Sequence, residues 1–509
     1  MALFERLPTE PGQRRKLLMK SPVTFEELGV VECASTEDIA AAMRQARAAQ
    51  KEWAKKSPAE RARIVIRARD IVLARQDEIM ATVILETGKP PADALAMEIF
   101  ASCDVMSFYA RNAEKFLAPE KRKLHGVMSM LKTLRIAYKP LGVAGIITPW
   151  NGPFILSINP TTQALLAGNA VLLKGSEVTP ESTRWVARVY QEAGLPEGLL
   201  HVLYGDGQTG ADILNAGVQK VSFTGSVPTG RKVGETCGRN LVPCSLELGG
   251  TDAMIVCADA ELELATDAAL YASCINTGHY CCGTQRIYVV EELYERFVQR
   301  VAEKAKALRQ GQQHGEDEDL GAVFWDKQLP IIEEHVADAI ARGARLLAGG
   351  RRNPELKGQY YEATVLADCT HGMLAMREEN FGPLVCLQKV KDEAEAILLA
   401  NDSPYGLSGT VFSKNREKAY QIALQMETGS VSVNDLAVTY GVPEAPFGGV
   451  KFSGVGQVNG TDGLRRYSHA FPVILNRFNM PKLPASYPNS AKGIKQTKMT
   501  MNFLWKKGK

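Results

Sequence analysis

Apolar residues recur at helical spacing from residue 36 to about 116. Ile39, Ala42, Met43 and Ala46 fall at i, i+3, i+4 and i+7, and Ile64, Ile71, Val72 and Ile79 continue the rhythm. Ser57-Pro58 opens one helix, with Ser as cap and Pro at the first position, where its missing N–H is harmless. Glu86-Thr87-Gly88-Lys89-Pro90 closes another. The pattern then changes. Short apolar runs at 143–148, 170–174, 199–203 and 220–224 alternate with amphipathic stretches, one of which follows Thr179-Pro180. Buried strands separated by helices predict a parallel, doubly wound α/β sheet. A second α/β stretch runs from 253 to about 434, and no internal repeat interrupts the chain.

Length and composition narrow this picture. A chain of 509 residues exceeds one core, so two or more domains are expected. With 45% hydrophobic and 23% charged residues it reads as globular. Its 60 cations nearly cancel its 57 anions, which argues against nucleic acid as a partner. The ten cysteines include no Cys-x-x-Cys and no Cys/His cluster at zinc spacing, so no metal site is expected. Reduced thiols in the cytoplasm are the expectation. The N-terminus carries no apolar signal core. The longest apolar run, 141–158, is broken by Pro149, Asn151 and Pro153, so no membrane span is predicted.

Two segments stand apart. Residues 121–139 are basic and strand-like. From 471 to 509 there are eight cations (Arg477, Lys482, Lys492, Lys495, Lys498, Lys506, Lys507 and Lys509) and no acid. A solvated tail is the favoured reading. The sharper reading is a weak peripheral contact with an anionic membrane, helped by Phe503, Leu504 and Trp505.

The chemistry-bearing residues lie elsewhere. Gly205-Asp-Gly207-Gln-Thr-Gly210 matches a pyrophosphate turn but lacks an acid about twenty residues on, so it reads as a tight turn near the cofactor. Asn276-Thr-Gly278-His279-Tyr280-Cys281-Cys282 presents two adjacent thiols, and on chemistry alone either could be a nucleophile. Leu246-Glu247-Leu248-Gly249-Gly250 presents a carboxylate at a strand end. Pro149-Trp150-Asn151 presents an amide. Lys174 and Glu177 stand three residues apart, and Phe223-Thr224-Gly225-Ser226 opens a helix whose N-terminus suits a phosphate.

With these motifs in this order the chain resembles the aldehyde dehydrogenase superfamily. Glu379-Asn-Phe381-Gly382-Pro383, Asn401 with Tyr405-Gly-Leu, and Pro446-Phe-Gly-Gly-Val-Lys451 extend the likeness over nearly the whole chain. The resemblance implies an NAD-dependent oxidation of an aldehyde to an acid through a cysteine thiohemiacetal and a thioester. Cys281 would be the nucleophile, Glu247 the general base, and the Asn151 amide part of the oxyanion hole. Trp150, Lys174, Glu177, Phe223, Gly225, Ser226, Glu379 and Phe381 would line the NAD site. Glu177 disfavours a 2′-phosphate, while Ser176 leaves room for NADP.

The family also implies an architecture: a Rossmann-type cofactor domain (1–120 and 140–247) and a catalytic α/β domain (248–463). A small β oligomerisation segment (121–139 and 464–485) and a basic tail (486–509) complete it. A homodimer or homotetramer is expected. The sequence departs from the family pattern at Thr251, His279, Gly175 and Gln457. Gly152 stands where enzymes for small aldehydes place an aromatic. Asn159 stands where relatives specific for succinic semialdehyde place Arg. A neutral aldehyde, of medium or long aliphatic chain or aromatic, is therefore expected. The rival readings are a relative that transfers the acyl group to coenzyme A, and a non-catalytic scaffold of the same fold.

Overall fold

The computed structural model describes residues 3–10, 13–311, 315, 317–436, 438–479 and 487–505. The early apolar runs become adjacent strands of one six-stranded sheet. Its order is Gly454–Val455, Cys244–Glu247, Lys220–Thr224, Val143–Ile147, Ala170–Lys174 and Leu200–Val202. Val143–Ile147 and Ala170–Lys174 are buried at every position, which is why they read as continuous apolar runs and not as alternation. These strands pair in parallel. Gly454–Val455 is the exception: it arrives from far along the chain and pairs antiparallel, setting Gly454 opposite Glu247.

Parallel pairing aligns the strand ends. Glu247, the turn after Thr224, the turn after Ile147 and the turn after Lys174 therefore stand side by side, about 4.8 Å apart strand to strand. Open parallel sheets present ligands at this end. A seven-stranded sheet follows from residue 252. Both large sheets belong to one compact unit, residues 1–116 and 140–467.

Some elements differ from the sequence reading. Phe4–Leu7, Lys16–Lys20 and Glu27–Glu32 form an antiparallel three-stranded sheet. Its strands are short and its burial irregular, so periodicity did not reveal it. A second compact unit comprises residues 117–139 and 468–509. In it Glu120–Arg122, Lys132–Pro140 and Ser468–Asn476 form a sheet with Ser468–Asn476 at an edge. A helical turn, Met128–Leu131, interrupts the expected strand. Ala491–Trp505 is a helix where a plain tail was expected. Lys482, Lys506, Lys507 and Lys509 lie outside the described residues.

Candidate active site

The aligned strand ends form the floor of a cleft of about 470 Å³. Trp150, Asn151, Lys174 and Glu177 line it, as do Phe223, Gly225, Ser226 and Glu247. Cys281, Glu379 and Phe381 complete the wall from the second sheet, so all eleven predicted residues face one space. At one end Lys174 Nζ lies 3.7 Å from Glu177 and donates to the Gly175 carbonyl at 2.9 Å. Burial lowers the Lys174 pKa. The space a Cβ at Gly175 would need is taken by Thr183, whose hydroxyl would stand 1.9 Å away, which accounts for glycine in this turn. Ser226 caps the helix Val227–Arg239 with its hydroxyl donating to the Thr229 hydroxyl at 3.1 Å and accepting from no first-turn amide, so those N–H groups can face an anion. Of the glycine-rich turn at 205–210, Gly207 reaches the cleft. Its Asp206 caps the helix Gly207–Asn215 and pairs with Arg15 at 2.7 Å.

The thiol sits on a strained loop. Asn276 and Thr277 are buried at φ 53° and 55°, followed by Gly278 at 78°. Such a conformation costs roughly 1–3 kcal/mol per non-glycine residue, so neighbours must enforce it. The Asn276 amide N–H donates to Asp93 at 2.8 Å, and its side chain donates to the carbonyls of Asn151 (2.8 Å) and His279 (2.9 Å). A Cβ at Gly278 would lie 2.1 Å from the Gly382 backbone, so only glycine allows this approach. Cys281 emerges half-buried, whereas Cys282 is fully buried against Leu407 and Phe447. A hydrogen bond with the Cys281 thiol alongside, together with burial, holds the Cys282 thiol well above its usual pKa. Of the two sulfurs, Cys281 is the one that meets open space.

A buried ion pair braces the site. Lys89 Nζ lies 2.5 Å from Glu98 and 3.1 Å from the Asn151 carbonyl. The other Glu98 oxygen accepts from the amides of Phe154 and Ile155, at the start of the helix Ile155–Leu166. Asn151 is thereby fixed with its side-chain amide donating to the His279 carbonyl at 3.1 Å. His279 itself is buried. Its Nδ1 lies 2.8 Å from the Asn276 carbonyl, and burial drives its pKa to about 3, so the ring is neutral. It packs against Phe324 and Trp150, at centroid distances of 4.5 and 5.2 Å. Trp325 stacks on Trp150 at 5.6 Å and lines the cleft. Sequence reasoning missed Trp325 and the roles of Glu98 and Asp93. The aromatic run Phe324-Trp325 was the available signal.

Two carboxyls in the cleft are perturbed. Glu247 is buried, and among the described residues neither of its oxygens has a partner. Burial, reinforced by the facing Cys281, raises its pKa well above the usual range. Glu379 is pushed up to about 7 by burial, against one hydrogen bond from the Gly250 amide at 3.1 Å.

A second cavity, of about 240 Å³, opens on the other side of the thiol. Cys281 and Asn151 line both spaces. Met97, Phe100, Ile155, Leu156, Leu436 and Val438 supply much of its wall, with Tyr280 and Tyr440. No charged side chain lines it among the described residues. Met97 and Phe100 come from a π-helical stretch, Ala94–Phe100, and Phe100 is 70% exposed at the mouth. Asn159 does not line this cavity. It donates to the Tyr440 hydroxyl at 3.3 Å and is oriented by Gln163, which donates to it at 2.8 Å. Among the described residues no three His, Cys, Asp or Glu side chains gather as a metal site, and no helix is long and apolar enough to cross a membrane.

Comparison with known proteins matches this arrangement. The profile of the aldehyde dehydrogenase family covers residues 9–471. A provisionally named succinate-semialdehyde dehydrogenase [NADP(+)] of Mycolicibacterium smegmatis is 38% identical over 89% of this chain and 87% of its own. A 4,4'-diapolycopene aldehyde oxidase of Methylomonas is 37% identical over 89% and 84%. The crystal structure of a Mycobacterium tuberculosis aldehyde dehydrogenase complexed with NAD+ superposes with a TM-score of 0.87 at 33% identity, covering 93% of this chain and 97% of that one.

Proposed function

The chain belongs to the aldehyde dehydrogenase family, and we propose that it oxidises neutral, apolar aldehydes to carboxylic acids with NAD(P). One observation carries this reading: Cys281 stands where an apolar cavity meets a polar cleft, with Glu247 lining that cleft.

The cleft suits a dinucleotide. Lys174 and Glu177 would hold the adenosine ribose, and the helix start at Ser226 the pyrophosphate. Glu379 would hold the second ribose, with Phe381, Trp150 and Phe223 around the ring. When bound, the nicotinamide supplies a hydride acceptor. The protein does the rest. The Cys281 thiolate adds to the carbonyl carbon, because a free aldehyde has no electron pair to expel hydride. The Asn151 amide and the Cys281 N–H hold the resulting oxyanion. Loss of hydride leaves a thioester on Cys281. Glu247 then takes a proton from the water that attacks it, releasing the acid and restoring the thiol. A buried carboxyl with no competing partner suits this task, since its raised pKa makes it a stronger base. Glu177 favours NAD over NADP.

The names of the relatives point two ways, to a charged aldehyde and to a long apolar one. The absence of a cation among the described lining residues favours the apolar one, because a carboxylate buried there would lack a partner. Steady-state rates with hexanal, a long-chain aldehyde, benzaldehyde and succinic semialdehyde, each with NAD and NADP, test this. A preference for succinic semialdehyde would overturn it. Detection of an acyl-CoA product would favour the acyl-transferring rival, against which Glu247 argues. The edge strand Ser468–Asn476, with Ile474 63% exposed, supports a homodimer or homotetramer. Ten unpaired thiols support a reducing compartment, the cytoplasm.

A further inference from the structure

We propose that the helix Ala491–Trp505 docks on an anionic phospholipid surface. This is independent of which aldehyde the enzyme takes. The chain from 471 onward carries eight cations and no acid, so its charge fits an anionic partner. Within the helix Lys492, Lys495 and Lys498 recur every three residues and form one stripe. At 3.6 residues per turn, Ile494, Met501 and Trp505 fall on one flank of that stripe, and Met499 and Phe503 on the other. All are exposed, Phe503 at 83% and Trp505 at 70%. The remaining face carries Gln496, Thr497 and Thr500, with Leu504 at its C-terminal end. Ser490 secures the start of the helix, its hydroxyl accepting from the Gly493 amide at 3.0 Å.

A face that mixes cations with large apolar groups matches the lipid headgroup layer. Lysine stems lie along apolar surface while their ammonium groups reach phosphate, and Trp and Phe settle at headgroup depth. Nucleic acid would use the cations but leave five large apolar side chains in water. A second copy of the chain would set three lysines of each against one another, and lysine is depleted where proteins meet.

The test uses the full chain, sedimented with vesicles of POPC alone or of POPC with POPG. The protein should pellet with POPG vesicles and stay in solution with POPC alone. High salt should release it, since screening shortens from about 10 Å at 0.1 M to about 3 Å at 1 M. Replacing all three lysines (Lys492→Gln, Lys495→Gln, Lys498→Gln) should lower partition about a hundredfold. The pair Phe503→Ser and Trp505→Ser should also weaken binding while keeping its salt dependence. Both variants should keep wild-type turnover of a water-soluble aldehyde and wild-type elution in gel filtration. Failure of the wild type to pellet, or equal pelleting with POPC alone, would overturn the proposal. So would a changed elution volume in either variant, which would assign the helix to subunit contact.

Discussion

The ammonium of Lys89 lies 3.1 Å from the main-chain carbonyl of Asn151, and its second partner, Glu98, is as fully buried as it is. This pair ties the helical N-terminal region to the two elements that meet at the thiol. Removing one member leaves the other as an unpaired buried charge, typically a loss of about 3–5 kcal/mol. Lys89→Met should therefore lower the urea midpoint sharply and also slow turnover, because Asn151 loses its anchor. The double variant Lys89→Met/Glu98→Gln should regain much of the stability. A Lys89→Met protein as stable as wild type would contradict this.

Glu247→Gln separates the two halves of the reaction. Thioester should still form, so a rapid burst of NADH should persist in stopped flow, while steady turnover drops about 10²–10⁴-fold. In the wild type the base works only when ionised. Its pKa is raised, so turnover should fall as pH drops through a value well above the ordinary carboxylate range. If the variant loses burst and turnover together, the role of Glu247 is misassigned.

Glu379 gives a stability prediction with a definite sign. Its carboxyl is raised to about 7 when folded, against a usual 4.5. The folded protein therefore holds that proton more tightly than the unfolded chain. Stability from this group is present below 4.5 and lost as pH rises toward 7. Glu379→Gln mimics the protonated form. It should match the wild-type melting temperature at pH 4 and exceed it at pH 8, measured without cofactor. An equal difference at both pH values would rule out the buried ionisation.

Gly152 faces the apolar cavity, where a Cβ would meet Ile155 and Leu156 at 3.2–3.3 Å. Gly152→Phe should fill much of the roughly 240 Å³ available. The ratio of kcat/KM for benzaldehyde or a long-chain aldehyde to that for acetaldehyde should fall tenfold or more, since each lost apolar contact of this size is worth ~1–3 kcal/mol. An unchanged ratio would move the substrate elsewhere.

The sequence made the cleft at the strand ends legible because its residues sit in short motifs there, and parallel pairing then aligns those ends. Ala170–Lys174 and Lys220–Thr224 appear with the expected bounds. Of the apolar cavity only Asn151, Gly152 and Cys281 were legible, and the rest of its wall was not. Met97, Phe100, Leu156 and Val438 are apolar residues from three distant segments, and each alone looks like core. The π-helical turn that carries Phe100 outward leaves no mark in a 3.6-residue pattern. Asn159 was read as a pocket residue from its place in the family pattern. The structure places it behind Tyr440, whose contact lies 281 residues away. Gly454 beside Glu247 was likewise hidden, because that pairing joins strands of one sheet that lie far apart along the chain.

The most direct test traps the acyl group. Glu247→Gln protein is mixed with NAD and hexanal, quenched in acid, and digested for mass spectrometry. A Cys281 nucleophile predicts one hexanoyl increment on the peptide that spans 281 and 282, with fragment ions placing it on Cys281. The increment should vanish in Glu247→Gln/Cys281→Ala and persist in Glu247→Gln/Cys282→Ala. An acyl group on Cys282, or none on either sulfur while NADH is formed, would contradict it.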